Sequence, residues 1–194
     1  MVGALVAGIV AGYVRLLPGV IMVRIDTLIS WTLGLLLFAV GVGFGMDRRA
    51  VQSLVTMKGK VLLLPLGVVL GSLAATGAVG LVLGRTWNEG AAVGAGFGWY
   101  SLSGILIANI HSARLGTLAF LANVMRETLA ILILPWVYRQ FGVLCAIAPA
   151  GATAMDVSLP IIVGEAGEEA GLLAFASGLV LTSLVPILVP LLLR

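Results

Sequence analysis

Long apolar runs dominate this chain and leave it few possible folds. Seven of them, separated by short polar breaks, cover residues 2–14, 27–46, 61–84, 91–110, 115–138, 142–163 and 170–193. A helix needs about 20 apolar residues to cross a bilayer, and every run but the first reaches that length. Mean hydropathy is +1.20 and only 10% of residues are charged, against about 25% in soluble domains. The sequence therefore predicts one all-α, polytopic membrane domain over residues 1–194, with membrane lipid as its surroundings.

The runs at 91–110 and 142–163 differ from the others, because Gly, Ser, Thr and Pro stand where an ordinary span carries Leu. Non-helical backbone at membrane depth is tolerated only where it is buried in protein or lines a wet cavity. Paired broken segments are also the best sequence indicator of a transporter's binding site. We therefore expect about five spanning helices plus two discontinuous, re-entrant segments of opposite orientation, whose tips meet near the midplane.

Glycines recur at intervals of four residues in several of the runs. The spacing occurs at Gly41 and Gly45, at Gly67 and Gly71, and at Gly90, Gly94 and Gly98. Small residues on one helix face let two helix backbones approach closely. The pattern predicts tight helix packing rather than contact with a ligand.

Charged side chains inside the apolar runs are the first candidates for function. Arg126 and Glu127 interrupt one run, and Asp156 interrupts the next. A charge at membrane depth costs several kcal/mol, so by default such residues mark a pathway or binding site for a polar solute. Adjacent residues point in different directions on a helix, so Arg126 and Glu127 need not neutralise each other. A structural ion pair between Arg126 and Asp156 is the alternative, although such a pair rarely repays its desolvation.

Neutral polar residues complete the predicted site. Asn123 lies one turn before Glu127 on the same helix face, and the broken segments add hydroxyl groups. An arginine suits the carboxylate of an amino acid, whereas carboxylates suit its ammonium groups. An unpaired carboxylate at membrane depth is also suited to exchange a proton during transport. We therefore predict a cavity that binds a small charged solute and a proton, lined by Asp156, Glu127, Arg126, Asn123, Tyr100, Ser101, Ser103 and Ser158.

Composition argues against several other functions. One Cys and one His form no conventional metal site, and no cofactor is expected. We expect His111 to be a solvated loop residue, and an intramembrane protease would need a second matched Asp or a Ser with a nearby His. The 11 Lys and Arg residues form no basic run, which argues against a nucleic-acid partner.

Four strings are long and specific enough to indicate a family. They are GFGWYSLSGIL (96–106), the Arg126-Glu127 pair with the apolar run that ends at Pro135, GATAMDVSLPI (151–161) and SLVPIL (183–188). They resemble the prokaryotic lysine exporter family of the LysO type. The resemblance implies a secondary transporter, not an enzyme, that exports L-lysine or a close cationic amino acid across the cytoplasmic membrane by proton antiport. On this analogy Asp156 recognises the substrate cation or carries the coupling proton.

Longer family members precede the matching region with a further hydrophobic region of about three spans, which holds an acidic residue of its own. We therefore expect a separate small membrane subunit or a second copy of this chain to supply that region, unless one carboxylate suffices. Two other functions stay open. The same fold can export a different small cation or an organic acid, or the chain can be a non-transporting membrane subunit that scaffolds a partner.

Overall fold

The structure, a computed structural model, describes residues 60–194 together with Trp31, Leu35 and Val42. The predicted run at 2–14 lies outside the described residues. So does the run at 27–46, with its glycine pair, apart from those three helical positions. By backbone proximity the chain divides into two compact units, Met1–Met46 and Asp47–Arg194.

Every regular element in residues 60–194 is helical. In order, these elements are α1 (Lys60–Val82), α2 (Trp87–Gly94), α3 (Tyr100–Ile110), α4 (Ala113–Phe141), α5 (Val143–Ile147), a 3-10 helix (Gly151–Met155), α6 (Leu159–Ala166) and α7 (Glu168–Leu192). Three of them are long and apolar enough to cross a membrane: Leu62–Val82 within α1, all of α4 and all of α7. The prediction of an all-helical membrane protein is confirmed, and the number of spans stays a prediction.

Helix α4 is the longest element in the described part of the chain, and the residues that flank it explain where it begins and ends. The Ser112 hydroxyl accepts a hydrogen bond from the Leu115 backbone N–H at 3.3 Å, which satisfies one of the free donors of the first turn. The helix ends at Gly142, whose φ of 82° suits glycine and disfavours other residues. Its 29 residues extend about 44 Å. Asn123, Arg126 and Glu127 lie near the middle of that length.

Both predicted broken segments are discontinuous. The first stops as a helix at Gly94 and resumes at Tyr100, and between them Phe97 and Gly98 have φ values of 47° and 96°. The second stops at Ile147 and resumes as α6 only at Leu159, with Gly151 at a φ of 63°. Because left-handed backbone cannot continue a right-handed helix, these positions fix where each break falls.

The two segments pack near opposite ends of α1. Gly80, close to the end of α1, is so near to α2 that an added Cβ would lie 2.9 Å from the Gly90 Cα atom. Leu64, close to the start of α1, packs on the apolar cluster that also holds Val143 and Ala166, the two ends of the second segment. This arrangement agrees with segments that enter from opposite faces. Re-entrance itself stays a prediction.

The two ends of the first segment lie side by side. Glu89, in the first turn of α2, has its Oε1 atom 3.3 Å from Nε2 of His111, which follows α3. Glu89 also forms a capping box with Thr86, and the backbone N–H of Thr86 lowers the pKa of Glu89 below its usual value. His111 is exposed, as predicted for a loop residue, and it also helps to close this hairpin.

Close glycine packing is confirmed between α1 and α2. A Cβ atom at Gly90 would collide with the Thr76 carbonyl oxygen, and one at Gly94 would collide with the Thr76 side chain. At Gly67 and Gly71, apart from the adjoining turns of α1 itself, no atom of the described residues lies within 4 Å of an added Cβ. The glycine interval therefore marks a tight helix contact at α2, while the contact predicted for the first half of α1 stays a prediction.

Candidate functional site

The tips of the two breaks touch each other. The backbone N–H of Ala152, in the second break, donates to the carbonyl oxygen of Phe97, in the first, at 2.8 Å. A Cβ atom at Gly151 would collide with that same carbonyl oxygen, so glycine is required there for space as well as for its backbone angle. The two tips meet, as the sequence predicts, and residues of α4 surround their meeting point.

Asn123 of α4 holds the first break. Its Oδ1 atom accepts from the Gly98 backbone N–H at 2.8 Å, and its Nδ2 atom donates to the carbonyl oxygens of Val93 at 3.0 Å and Ala119 at 2.9 Å. The side chain is 3% exposed. One amide therefore satisfies the Gly98 N–H group, which the interrupted helix sets free, and adds a second hydrogen bond to the Val93 carbonyl oxygen.

Arg126, one turn further along α4, holds the second break. Its Nε atom donates to the Pro149 carbonyl oxygen at 3.0 Å, and its Nη2 atom donates to the Ala148 carbonyl oxygen at 3.5 Å. Its Nη1 atom donates to the Ser72 hydroxyl of α1 at 2.9 Å. Within the described part of the chain, no carboxylate lies within 4.0 Å of the guanidinium. The alternative of a direct Arg126–Asp156 ion pair is therefore wrong.

Glu127 and Asp156 form the acidic part of the site. The charge of Asp156 acts on Glu127 through space, and no Lys, Arg or His among the described residues lies within 4.0 Å of either. Asp156 is exposed on the surface of these residues, and its Oδ1 atom accepts the Val157 backbone N–H at 2.6 Å. Two neighbouring negative charges without a cationic partner favour the binding of a cation or a proton.

The predicted hydroxyl groups divide into two kinds. Ser103 and Ser158 are fully buried. Ser103 donates to the Trp99 carbonyl oxygen at 2.9 Å, while Ser158 and Thr153 share a hydrogen bond of 3.3 Å between their hydroxyls. Tyr100 and Ser101 are half-buried, and the Tyr100 ring meets the Phe120 ring edge-on at 5.3 Å. The site thus brings Glu127 and Asp156 together, while Asn123, Arg126, Ser103 and Ser158 are engaged with the backbone or with neighbours that support the breaks.

Comparison with known proteins identifies the family. The family described as lysine exporter LysO matches residues 2–193. The chain belongs to the LysO lysine exporter family. The lysine exporter LysO of Escherichia coli is 32% identical to this LysO-family chain over 182 residues, which cover 93% of the chain and 60% of that relative. A putative lysine exporter of Haemophilus influenzae is 38% identical over 101 residues, which cover 52% of the chain and 51% of the relative.

The match to these relatives has a limited extent. The LysO-family chain spans 60% of the length of the first relative and 51% of the second. No solved structure matches it. Both relatives are named as exporters. Among the residues that the structure describes, no three His, Cys, Asp or Glu side chains are grouped to hold a metal ion.

Sequence reasoning missed the contribution of α1 to the site of this LysO-family chain. Ser72 accepts from Arg126 and donates to the Gly94 carbonyl oxygen at 3.0 Å, so it links α4 to the end of α2. Thr76, four residues later, packs on the glycines of α2. The available signal was this pair of hydroxyl residues at helical spacing in an otherwise Leu- and Val-rich run.

Proposed function

We propose that this chain exports L-lysine, or a close cationic amino acid, across the cytoplasmic membrane of a prokaryote by proton antiport. The observation that carries the proposal is the Glu127–Asp156 pair, which lies beside two crossing helix breaks and has no cationic partner in the described residues. Membership of the lysine exporter family and the names of both relatives support lysine as the substrate.

The proposed cycle uses the two carboxylates as a shared site for a proton or an ammonium group. Two adjacent carboxylates repel each other, so one of them readily holds a proton when the site is empty. When an ammonium group of lysine binds between them, its positive charge stabilises both carboxylates in the ionised form, and the proton is released. Binding of substrate and proton is then mutually exclusive, as antiport requires.

Other polar residues are proposed to complete the lining. Three of the donor directions of Arg126 are used by Ala148, Pro149 and Ser72, and the remaining N–H groups suit the carboxylate of an amino acid. The half-buried Tyr100 and Ser101 supply further hydrogen-bonding groups. Movement of one half of the fold against the other would then expose the site to either face. A second copy of this chain or a small membrane subunit stays a proposed partner.

The proposal is tested with purified chain reconstituted in liposomes that contain labelled lysine. We expect lysine efflux that accelerates when a proton gradient is imposed. Asp156→Asn should lower the initial rate at least tenfold while the protein remains folded by thermal unfolding in detergent. The matched control is Glu168→Gln, which removes an exposed carboxylate at the start of α7 and should leave the rate unchanged.

Each result that contradicts the proposal would reject a different part of it. Normal efflux by Asp156→Asn would remove this carboxylate from the mechanism. Efflux of another cation or of an organic acid, but not of lysine, would keep a transporter and reject the substrate. Folded wild-type protein that moves no solute alone, and moves lysine after a small membrane subunit is added, would make the chain one part of an exporter.

A further inference from the structure

The guanidinium of Arg126 is surrounded by oxygen atoms of the backbone and of a hydroxyl group. Its contacts are the Pro149 carbonyl oxygen at 3.0 Å, the Ala148 carbonyl oxygen at 3.5 Å and the Ser72 hydroxyl at 2.9 Å. The side chain is half-buried, and the described residues provide no carboxylate within 4.0 Å of it. Its charge is therefore balanced there by neutral dipoles.

Those dipoles come from helices that end at this point. Ala148 is the C-cap of α5, so its carbonyl oxygen is one of the acceptors that a helix end leaves free. Gly94 is the last residue of α2, and its carbonyl oxygen accepts from the Ser72 hydroxyl, which in turn accepts from Arg126. Helix C-termini carry negative partial charge. Two such ends converge on one guanidinium, one directly and the other through Ser72.

The backbone lies so close to one side of the planar guanidinium that an additional side chain would not fit between them. A Cβ atom at Gly151 would lie 3.0 Å from the Nη2 atom of Arg126 and would collide with the Phe97 carbonyl oxygen. The backbone of the second break therefore lies next to the guanidinium, with no room for a side chain between them. The cation lies where the two breaks cross.

Transporters with broken helices place a metal ion in comparable surroundings, because carbonyl oxygens of unwound backbone and helix C-terminal ends coordinate the coupling cation. We propose that Arg126 is a tethered cation that takes the place of such an ion. It positions the second break through its carbonyl oxygens and the first break through Ser72, and it leaves no site for an alkali cation at the crossing. This inference concerns the support of the site, and it holds whichever solute is transported.

Chemical rescue tests the proposal without any transport assay. Arg126→Ala removes the guanidinium from the Ala148 and Pro149 carbonyl oxygens and from the Ser72 hydroxyl. We therefore expect the midpoint of thermal unfolding in detergent to fall by on the order of 5 °C or more. Guanidinium chloride at low millimolar concentration should restore at least half of that loss. Urea has nearly the same planar shape but no charge, and it should restore none.

Matched variants exclude trivial explanations. Arg139→Ala removes an exposed arginine in the last turn of the same helix, and guanidinium should not raise its midpoint or that of the wild type. Rescue by urea equal to rescue by guanidinium, or rescue by neither, would overturn the proposal.

A second pair of variants keeps the test decisive if Arg126→Ala does not fold. Arg126→Lys keeps a cation but loses the planar fork, whereas Arg126→Met keeps length without charge. The lysine variant should unfold at a temperature between those of wild type and the methionine variant. A methionine variant as stable as the lysine variant contradicts a cationic role. Because unfolding is the readout, this result is independent of whether lysine is the substrate.

Discussion

Asn123 does with a neutral side chain what Arg126 does with a charged one, since each satisfies backbone groups that a broken helix sets free. Replacement by alanine would orphan the Gly98 N–H group in a buried position and leave the Val93 carbonyl oxygen with only its bond from the Gly96 N–H group. An unsatisfied buried group costs about 1–3 kcal/mol. We therefore expect Asn123→Ala to destabilise the fold by about 1–3 kcal/mol, measured by unfolding in detergent.

Thr128 provides the control for that prediction. It lies on the same helix, is exposed, and donates only to the Val124 carbonyl oxygen within its own helix. Thr128→Ala should change stability by less than about 0.5 kcal/mol. If Asn123→Ala is equally mild, the first break does not depend on this amide.

For single residues, the sequence identifies the candidates for function, but it does not show which contacts they make. Arg126, Glu127 and Asp156 were found because charges are rare inside apolar runs. The contacts of Arg126 were not predictable, because its partners lie 23 and 54 positions away along the chain. Spacing along one helix says nothing about which distant carbonyl oxygen faces the guanidinium.

Glycines let helix α1 and helix α2 pack closely against each other. An added Cβ at Gly80 would lie 2.9 Å from the Gly90 Cα atom, and backbone cannot yield as a flexible side chain can. Gly80→Ala should therefore push α2 away from α1 and destabilise the fold by about 1–3 kcal/mol. Thermal unfolding in detergent measures this change.

Gly71→Ala is the comparison on the same helix. Apart from the adjoining turns of α1 itself, no atom of residues 60–194 lies within 4 Å of a Cβ at Gly71, and alanine favours a helix over glycine by up to about 1 kcal/mol. This variant should be neutral or slightly more stable. Equal destabilisation by both substitutions would mean that contact with α2 is not the cause.

Both breaks were predictable at the level of elements because glycine and proline interrupt helices for local reasons. The part that α1 plays was not. A serine within a Leu- and Val-rich helix can simply bond to the preceding turn, as Thr76 does with the Ser72 carbonyl oxygen at 2.7 Å. Only the packing of α1 against α2, together with the reach of the Arg126 side chain, turns the Ser72 hydroxyl into a bridge.

At the scale of the whole described region, side chains of one long helix, α4, hold both broken segments by hydrogen bonds. Helix α4 presents Asn123 to the first break, Arg126 to the second, and Glu127 towards Asp156. A shift of the second break relative to α4 would therefore change the separation between Glu127, on α4, and Asp156, on that break. We propose that this links the state of the two carboxylates to the position of the second break, which is the kind of coupling that alternating access needs.

This arrangement leads to a prediction about the coupling ion, which rests on the proposed export function. The carboxylate pair offers a place for a proton, while the carbonyl oxygens that would otherwise suit an alkali cation are occupied by Arg126. We expect lysine efflux from liposomes to depend on the pH gradient and to change less than twofold when choline replaces all sodium and potassium. An imposed sodium gradient should not drive efflux. If it does drive efflux at constant pH, an alkali cation binds elsewhere in the pathway, and the two carboxylates then act on the substrate alone.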